Sequence, residues 1–494
     1  MGWSGNSVLS AERLPYTQGV IGGGELLFGG EVTLDDAAGE GQSSYETPWL
    51  FGSFGDGLNE IAARFHSYVR SLHPRLFSHG RPVILNTWEA VYFDHNFDTL
   101  KALADKAAAS GVERFVVDDG WFGSRRDDTS GLGDWQISQD VWPDGPKSLK
   151  ALADYVHAKD MEFGLWFEPE MVNPDSDVAR NHPDWILSPT AGRLPLQGRT
   201  QQVLDLTNPE AFDYIYSCMD QLVGELGIDY IKWDANRHAE NAGSEFLPKD
   251  RQSHFWIDYV QGFYKVMERI RAKYPDVLIQ ACASGGGRVE YGAMKYFNEV
   301  WTSDNTEALS RARIQYGTSL FYPATVMGSH VSATPNHQTS NITPIKFRFD
   351  MACAGRLGME LQPKQMNAEE KAFARKAIES YKGYRDIVME GDLYRIGTPY
   401  DDTGYYGVMY VSKDKKKAVL FTYCTLYQSR TLVPKFRLYG LDAQTRYKIR
   451  EQNVDKKRFW FDGGTFTGEY LNHAGINPNL NKIYDSAVFV LEAE

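Results

Sequence analysis

Cysteine is scarce. Four residues, Cys218, Cys282, Cys353 and Cys424, are scattered over 494, and no two form a CxxC pair. That excludes a disulfide framework and a cysteine zinc site. Long apolar runs are also missing: none reaches the ~18 residues of a membrane span, and Met1 to Gly5 has no basic stretch leading into an apolar one. The expectation is a soluble protein of a reducing compartment, the cytoplasm. Basic charge is in deficit, with 52 Lys and Arg against 65 Asp and Glu and a net charge of -13. Nucleic acid and anionic membranes, which both need basic surface, are therefore excluded as partners. The one basic run, Lys413 to Lys417 broken by Asp414, lies between two strand-like segments and reads as a hairpin turn.

Cofactor motifs are lacking too. Gly19 to Gly24 leads into a strand instead of a helix, which argues against a nucleotide loop. Ser284-Gly285-Gly286-Gly287-Arg288 lacks the Lys-Ser/Thr of a phosphate loop, so its glycines more simply let backbone approach a ligand. His330 and His337 are seven apart on a Gly/Ser/Pro-rich loop with no third ligand at short spacing. Neither a metal nor a cofactor is expected.

Aromatic residues are plentiful at 13%, which suits large cores and, equally, carbohydrate sites. Residues 1 to about 55 read as short strands: Val20-Ile21, Glu25 to Phe28 and Glu31 to Leu34. A helix follows over Gly57 to His73, where Leu58, Ile61, Phe65, Tyr68, Val69 and Leu72 recur at helical spacing. Near-continuously apolar strands then alternate with amphipathic helices for roughly 300 residues. The strands are expected at 83–86, 114–117, 162–166, 230–233, 277–280 and 299–301, with two less regular ones near Thr325 to Met327 and Gly355 to Leu361. About eight strand–helix units favour an α/β fold built as a closed (β/α)8 TIM barrel over an open doubly wound sheet, which would also need a dinucleotide fingerprint after its first strand. From about Leu393, segments such as 407–411, 418–422, 447–449 and 486–491 read as an antiparallel β-sandwich domain. The expected domains are therefore 1–78 (a β-segment plus linking helix), 79–390 (the barrel) and 391–494.

A barrel site forms at the C-terminal ends of its strands. Those ends carry Trp88-Glu89, Asp118-Asp119-Gly120-Trp121, Trp166-Phe167-Glu168-Pro169-Glu170, Lys232-Trp233-Asp234, the Cys282 to Arg288 run and Trp301-Thr302-Ser303-Asp304-Asn305. In the stretch from Asp229 to Arg237, Lys232, Asp234 and Asn236 alternate to one side. Seven acids and five tryptophans on one face suit a sugar, whose hydroxyls donate to carboxylates while its apolar face stacks on indole. Glycoside hydrolysis needs two carboxyls. Asp118 and Asp119 are adjacent and better suited to gripping hydroxyls. Glu168 and Glu170 flank a shaped turn at Pro169. Asp234 and Asp304 remain a plausible pair on chemistry alone.

Together these strand-end motifs, with Gly328 to Ser332 and Pro335 to Gln338, resemble the α-galactosidases of glycoside hydrolase family 36. The resemblance implies a retaining, exo-acting hydrolase of terminal α-linked galactose in melibiose- or raffinose-type sugars. In it Asp234 is the nucleophile and Asp304 the general acid and base. It implies sugar contacts at Asp118, Asp119, Trp166, Arg199, Lys232, Asn236, Cys282, Gly285 and Trp301. Lys232 beside Asp234 favours the ionised nucleophile, and carboxylates crowded around Asp304 favour its acid form. Retention calls for carboxyls about 5–5.5 Å apart. The family usually has a large β-sandwich domain before the barrel. About 55 residues precede the linking helix here, so a shortened form or a fragment is expected, and homo-oligomer formation through that domain is left open. Ala235 stands where the family commonly has Met. The rival readings are an α-N-acetylgalactosaminidase, a raffinose-synthase-type galactosyl transferase, and a sugar-binding protein without catalysis.

Overall fold

The computed structural model describes residues 49–72, 81–188, 194, 195, 197–240, 243–427 and 432–494, together with the backbone strands at 2–3, 7–13 and 20–26. The expected strand at Glu31 to Leu34 lies outside these residues. Ser7–Arg13 and Val20–Leu26 pair antiparallel, so Gly22 to Gly24 lie within a strand and join the two runs expected separately at Val20-Ile21 and from Glu25. Eight parallel strands close into a barrel in chain order: β1 (Ile84–Asn86), β2 (Arg114–Val117), β3 (Glu162–Phe167), β4 (Tyr230–Trp233), β5 (Leu278–Ala281), β6 (Glu299–Trp301), β7 (Met327–Val331) and β8 (Arg356–Met359). All but the edge positions of these strands are buried, which is why they read as apolar runs without alternation.

β7 departs from expectation. Ala324–Val326 forms a single 3-10 turn, and the strand begins only at Met327. The sequence Met-Gly-Ser-His-Val hides it because Gly328, a poor strand former, and the polar Ser329 and His330 interrupt the apolar run. β8 carries Gly358, where a Cβ would come within 2.2 Å of His330; the glycine weakens the strand signal while making room for that imidazole.

The chain divides into two compact units, one of residues 1–52, 119–151 and 166–297, the other of 53–118, 152–165 and 298–494. The first holds β4, β5, α4 (Pro209–Leu226) and α5 (Phe255–Lys273); earlier in the chain come α1 (Leu58–Leu72) and α2 (Phe97–Ser110), both of the second unit, and α3 (Pro146–His157). Asn208 caps α4 by accepting from the Glu210 N–H, Pro209 opens it, and Gly227 closes it in the left-handed region, each in its favoured position.

The second unit holds α1, β1, β2, β6 to β8, α6 (Ala308–Thr318), α7 (Ile345–Ala352), α8 (Ala368–Glu390) and an antiparallel sheet. The sheet order is β9 (Asp392–Gly397), β10 (Tyr405–Val411), β11 (Lys417–Cys424), β14 (Asp485–Ala493), β12 (Arg446–Glu451) and β13 (Thr465–Thr467). Where a sandwich is expected, the described strands form this one sheet. Its core face is covered by Phe436, Leu438, Leu441, Phe461, Ile476 and Leu480, which come from segments outside the strands. The run at Lys413 is the β10–β11 turn, with Lys415 in the left-handed region.

The buried stripe of α1 is Ala62, Phe65, His66 and Val69, rotated from the expected one because Leu58 is exposed and His66 is taken into the core. His66 Nε2 lies 2.7 Å from the Ser319 carbonyl, to which it donates. Burial first, then the Arg70 charge, hold its pKa down at about 3. Folded His66 stays neutral while the unfolded residue accepts a proton below its ordinary 6.5. Stability therefore falls as pH drops through the window from 6.5 to about 3, by up to about 1.4 kcal/mol per pH unit. Thermal denaturation of His66→Gln, which keeps an N–H donor but cannot ionise, is expected to show a shallower loss of Tm between pH 6.5 and 5 than wild type. Superimposable slopes would refute the assignment.

Candidate active site

In the first unit the parallel ladder runs one residue past β4. The Asp234 N–H donates to the Phe167 carbonyl at 2.7 Å, and the Cys282 N–H to the Trp233 carbonyl at 2.8 Å. These bonds align the ends of β3, β4 and β5. The Asp234 carboxylate, 5% exposed, accepts from three donors: Trp166 Nε1 at 3.1 Å, the Ala235 N–H at 2.9 Å and Asn236 Nδ2 at 2.8 Å. Such multiple donation fixes its orientation. Asn236 is otherwise occupied as well: its Oδ1 accepts from the Ser284 N–H and hydroxyl, both at 3.1 Å. Expected as a sugar contact, its amide thus holds the protein's own groups.

Trp166 is nearly buried and stacks on Phe122, centroids 6.1 Å apart at 11°, beside Trp135. Lys232 is buried on β4. Ser284 and Gly285 both have positive φ, so only a short turn separates Cys282 from them and Gly285 fits that backbone without strain. Arg199 is exposed with positive φ, its guanidinium 3.7 Å from Asp128. Asp119 is gripped by Arg125, whose Nη2 lies at 2.8 Å and Nε at 3.1 Å from its oxygens. Burial opposes the Arg125 charge, but Asp119 facing it carries the pKa above the ordinary value.

Two of the five strand-end tryptophans turn inward. Trp121 Nε1 donates to the Trp166 carbonyl at 2.9 Å, and Trp233 Nε1 to Glu170 Oε1 at 2.9 Å. Neither indole offers a stacking face, because each needs a buried acceptor. Glu170 also accepts a two-pronged ion pair from Arg288 and the Tyr259 hydroxyl at 3.0 Å. It is therefore a tie between the ends of β4 and β5 and α5, not a catalytic carboxyl. Glu170→Gln leaves the Arg288 charge uncompensated and is expected to cost on the order of 3 kcal/mol, read by urea denaturation. A change under 1 kcal/mol would contradict that role. Ala235 borders a cavity of about 550 Å³ lined also by Asn236, Trp256, Tyr259, Phe263 and Arg288, so the small side chain leaves space that a longer one would fill.

In the second unit, Asp118 accepts from Asn86 Nδ2 at 2.6 Å, and its N–H donates to Thr87 Oγ1 at 2.9 Å. The adjacent Asp118 and Asp119 thus have separate partners, which answers their mutual repulsion. Trp301 Nε1 donates to Asp304 Oδ1 at 3.1 Å. Its ring is packed by His330, centroids 4.4 Å apart, and by the Arg311 guanidinium at 4.5 Å. Asp304 is partly exposed, and Gln338 Nε2 reaches its carbonyl at 2.8 Å. His330 Nδ1 lies 3.4 Å from Glu360 and His337 Nδ1 3.7 Å from Glu89, so each imidazole sits against its own carboxylate.

Sequence reasoning overlooked Arg125, Arg288 and Gln201. Arg125 follows its motif by a few residues and Arg288 ends one, both in loops without periodicity, and nothing local marks which carboxylate they reach. No helix among the described residues is long and apolar enough to cross a membrane.

Residues 44–391 match the family model described as melibiase, and residues 405–491 that of the glycosyl hydrolase family 36 C-terminal domain. Alpha-galactosidase Mel36A of Lactobacillus acidophilus is 37% identical over 485 residues, which are 98% of this chain and 63% of that protein. The bifunctional alpha-galactosidase/sucrose kinase AgaSK of Mediterraneibacter gnavus is 37% identical over 99% of this chain and 50% of its own length. The crystal structure of the family 36 alpha-galactosidase AgaA of Geobacillus stearothermophilus matches with a TM-score of 0.83 at 37% identity, covering 89% of this chain and 60% of that one. A variant of AgaA in complex with raffinose matches with the same TM-score at 36% identity, again over 89% and 60%. The chain thus spans between half and just under two thirds of the length of these relatives. With one family model covering the barrel and a second the C-terminal sheet, this chain belongs to the melibiase family and carries a glycosyl hydrolase family 36 C-terminal domain.

Proposed function

We propose that this protein is a retaining α-galactosidase that releases terminal α-linked galactose from raffinose-type oligosaccharides. The observation that carries the reading is the buried Asp234 carboxylate, aimed by the donors of Trp166, Ala235 and Asn236 at the end of a barrel strand. In the first step an Asp234 oxygen attacks the anomeric carbon as the glycosidic C–O bond breaks, and Asp304 gives its proton to the leaving oxygen. In the second, Asp304 takes a proton from water, whose oxygen attacks the same carbon and expels Asp234. Asp118, Asp119, Lys232, Cys282 and Gly285 contact the galactose hydroxyls, Trp166 floors the sugar, and Trp301 orients Asp304. Arg199 belongs to the same set by its motif. The substrate class follows the family and the raffinose bound in the AgaA variant.

The test is hydrolysis of p-nitrophenyl α-galactoside, its N-acetylgalactosamine counterpart and raffinose, with the first-formed anomer followed by NMR. Galactose released first as the α-anomer supports the proposal, and the β-anomer overturns retention. Turnover of the N-acetyl compound alone would replace the substrate. Galactose binding without turnover would make the protein a lectin-like binder.

A further inference from the structure

The two-carboxyl mechanism leaves Glu168 without a part, although Asp234 is among the charges that act on it. Glu168 follows the last residue of β3 and is fully buried. Among the described residues it makes two hydrogen bonds: Oε1 accepts the Asn236 N–H, and Oε2 lies 3.2 Å from Gln201 Nε2. The charged groups facing it are Asp234, Asp119 and Arg125. The Arg125 guanidinium is committed to Asp119, to Asn173 Oδ1 at 3.1 Å and to Asp128. A buried carboxylate that faces two others, with no cation bonded to it, is costly, and protonation relieves that cost. Burial, then the Asp234 charge, push its pKa well above the usual carboxylate range, against the pull of the Asn236 amide. An O–H on Glu168 needs an acceptor. Gln201 Oε1 is buried and unpaired, and a half-turn of that amide brings it to the place of Nε2.

We infer that Glu168 is a positioning residue for the nucleophile: as a neutral acid it anchors the Asn236 backbone, so that the Asn236 amide holds Asp234 Oδ2 without a second negative charge alongside. The inference rests on the reading of Asp234 as the nucleophile. The proton stays on Glu168 throughout, and no step transfers it.

Three variants test this against wild type. Glu168→Gln, neutral and isosteric, is expected to keep kcat on p-nitrophenyl α-galactoside within about fivefold, whereas Glu168→Ala loses the Asn236 anchor and drops kcat about a hundredfold with KM changed less than threefold. Infrared difference spectroscopy at pH 7 is expected to show a protonated-carboxyl C=O band that is absent in Glu168→Gln and shifted in Gln201→Met. The inference is overturned if that band is unaffected by both substitutions, or if Glu168→Gln is as slow as Glu168→Ala. The infrared measurement needs no turnover. If wild type proves inactive on every galactoside, the catalytic reading fails by itself while the band still reports the Glu168 proton.

Discussion

Asp234→Ala is expected to reduce kcat on p-nitrophenyl α-galactoside by about 10⁴-fold or more, the scale seen when a covalent nucleophile is removed. The loss falls on the first step, since no group remains to displace the leaving oxygen from the opposite face. The truncation also opens space beside the anomeric carbon. Added azide is small enough to enter it and is expected to restore part of the rate, giving β-galactosyl azide by a single displacement. The variant should remain folded. Three donors lose their acceptor, a penalty of about 1–3 kcal/mol for each one left without water, so calorimetry should accompany the kinetics. A folded Asp234→Ala protein that keeps a tenth of the wild-type rate without azide would move the nucleophile elsewhere.

Asp304→Ala separates substrates by leaving group. The sucrose released from raffinose departs as a poorly stabilised alkoxide and needs the proton, so kcat/KM on raffinose is expected to fall by about 10³-fold, within the usual range for general acid catalysis. Nitrophenolate leaves without help, so the first step on the aryl galactoside should be nearly unimpaired. Its second step lacks the base, and the galactosyl-enzyme accumulates as a burst of nitrophenol followed by a slow steady state with lowered KM. Azide, which needs no base, should relieve that slow phase and yield α-galactosyl azide. Opposite anomers from the two variants assign the two roles independently of any distance. Equal losses on both substrates, with no burst, would count against Asp304 as acid and base.

The architecture was legible where the chemistry of burial is simple. β1 to β6 are short apolar runs ended by polar residues, and all six lie within a residue or two of their expected places. β7 and β8 were blurred because their glycines, Gly328 and Gly358, serve the packing of Trp301 and His330 instead of strand propensity. The strand-end acids were equally visible, since a carboxylate after an apolar run is costly unless it has work or a partner. Their partners were not. Arg125 reaches back six residues to Asp119, and Arg288 reaches Glu170 across 118; folding, not spacing, decides those pairs. The same gap hid the division of labour within Glu168-Pro169-Glu170, where the two carboxylates beyond the end of β3 take different partners, Glu168 the Asn236 N–H and Glu170 the side chains of Trp233 and Arg288. The α1 stripe erred for a related reason: a histidine counts as polar in a periodicity scan, yet one carbonyl suffices to admit His66 to the core.

Asn236 joins three strand ends through one residue, with its backbone on Glu168, its amide nitrogen on Asp234 and its amide oxygen on Ser284. Substitutions at these four positions are consequently not independent events. Residues that share partners couple by about 0.5–3 kcal/mol, so the effect of a change at one depends on what occupies the others. A change at Glu168 or Ser284 therefore alters which residues Asn236 can be exchanged for, and the four positions are best varied together.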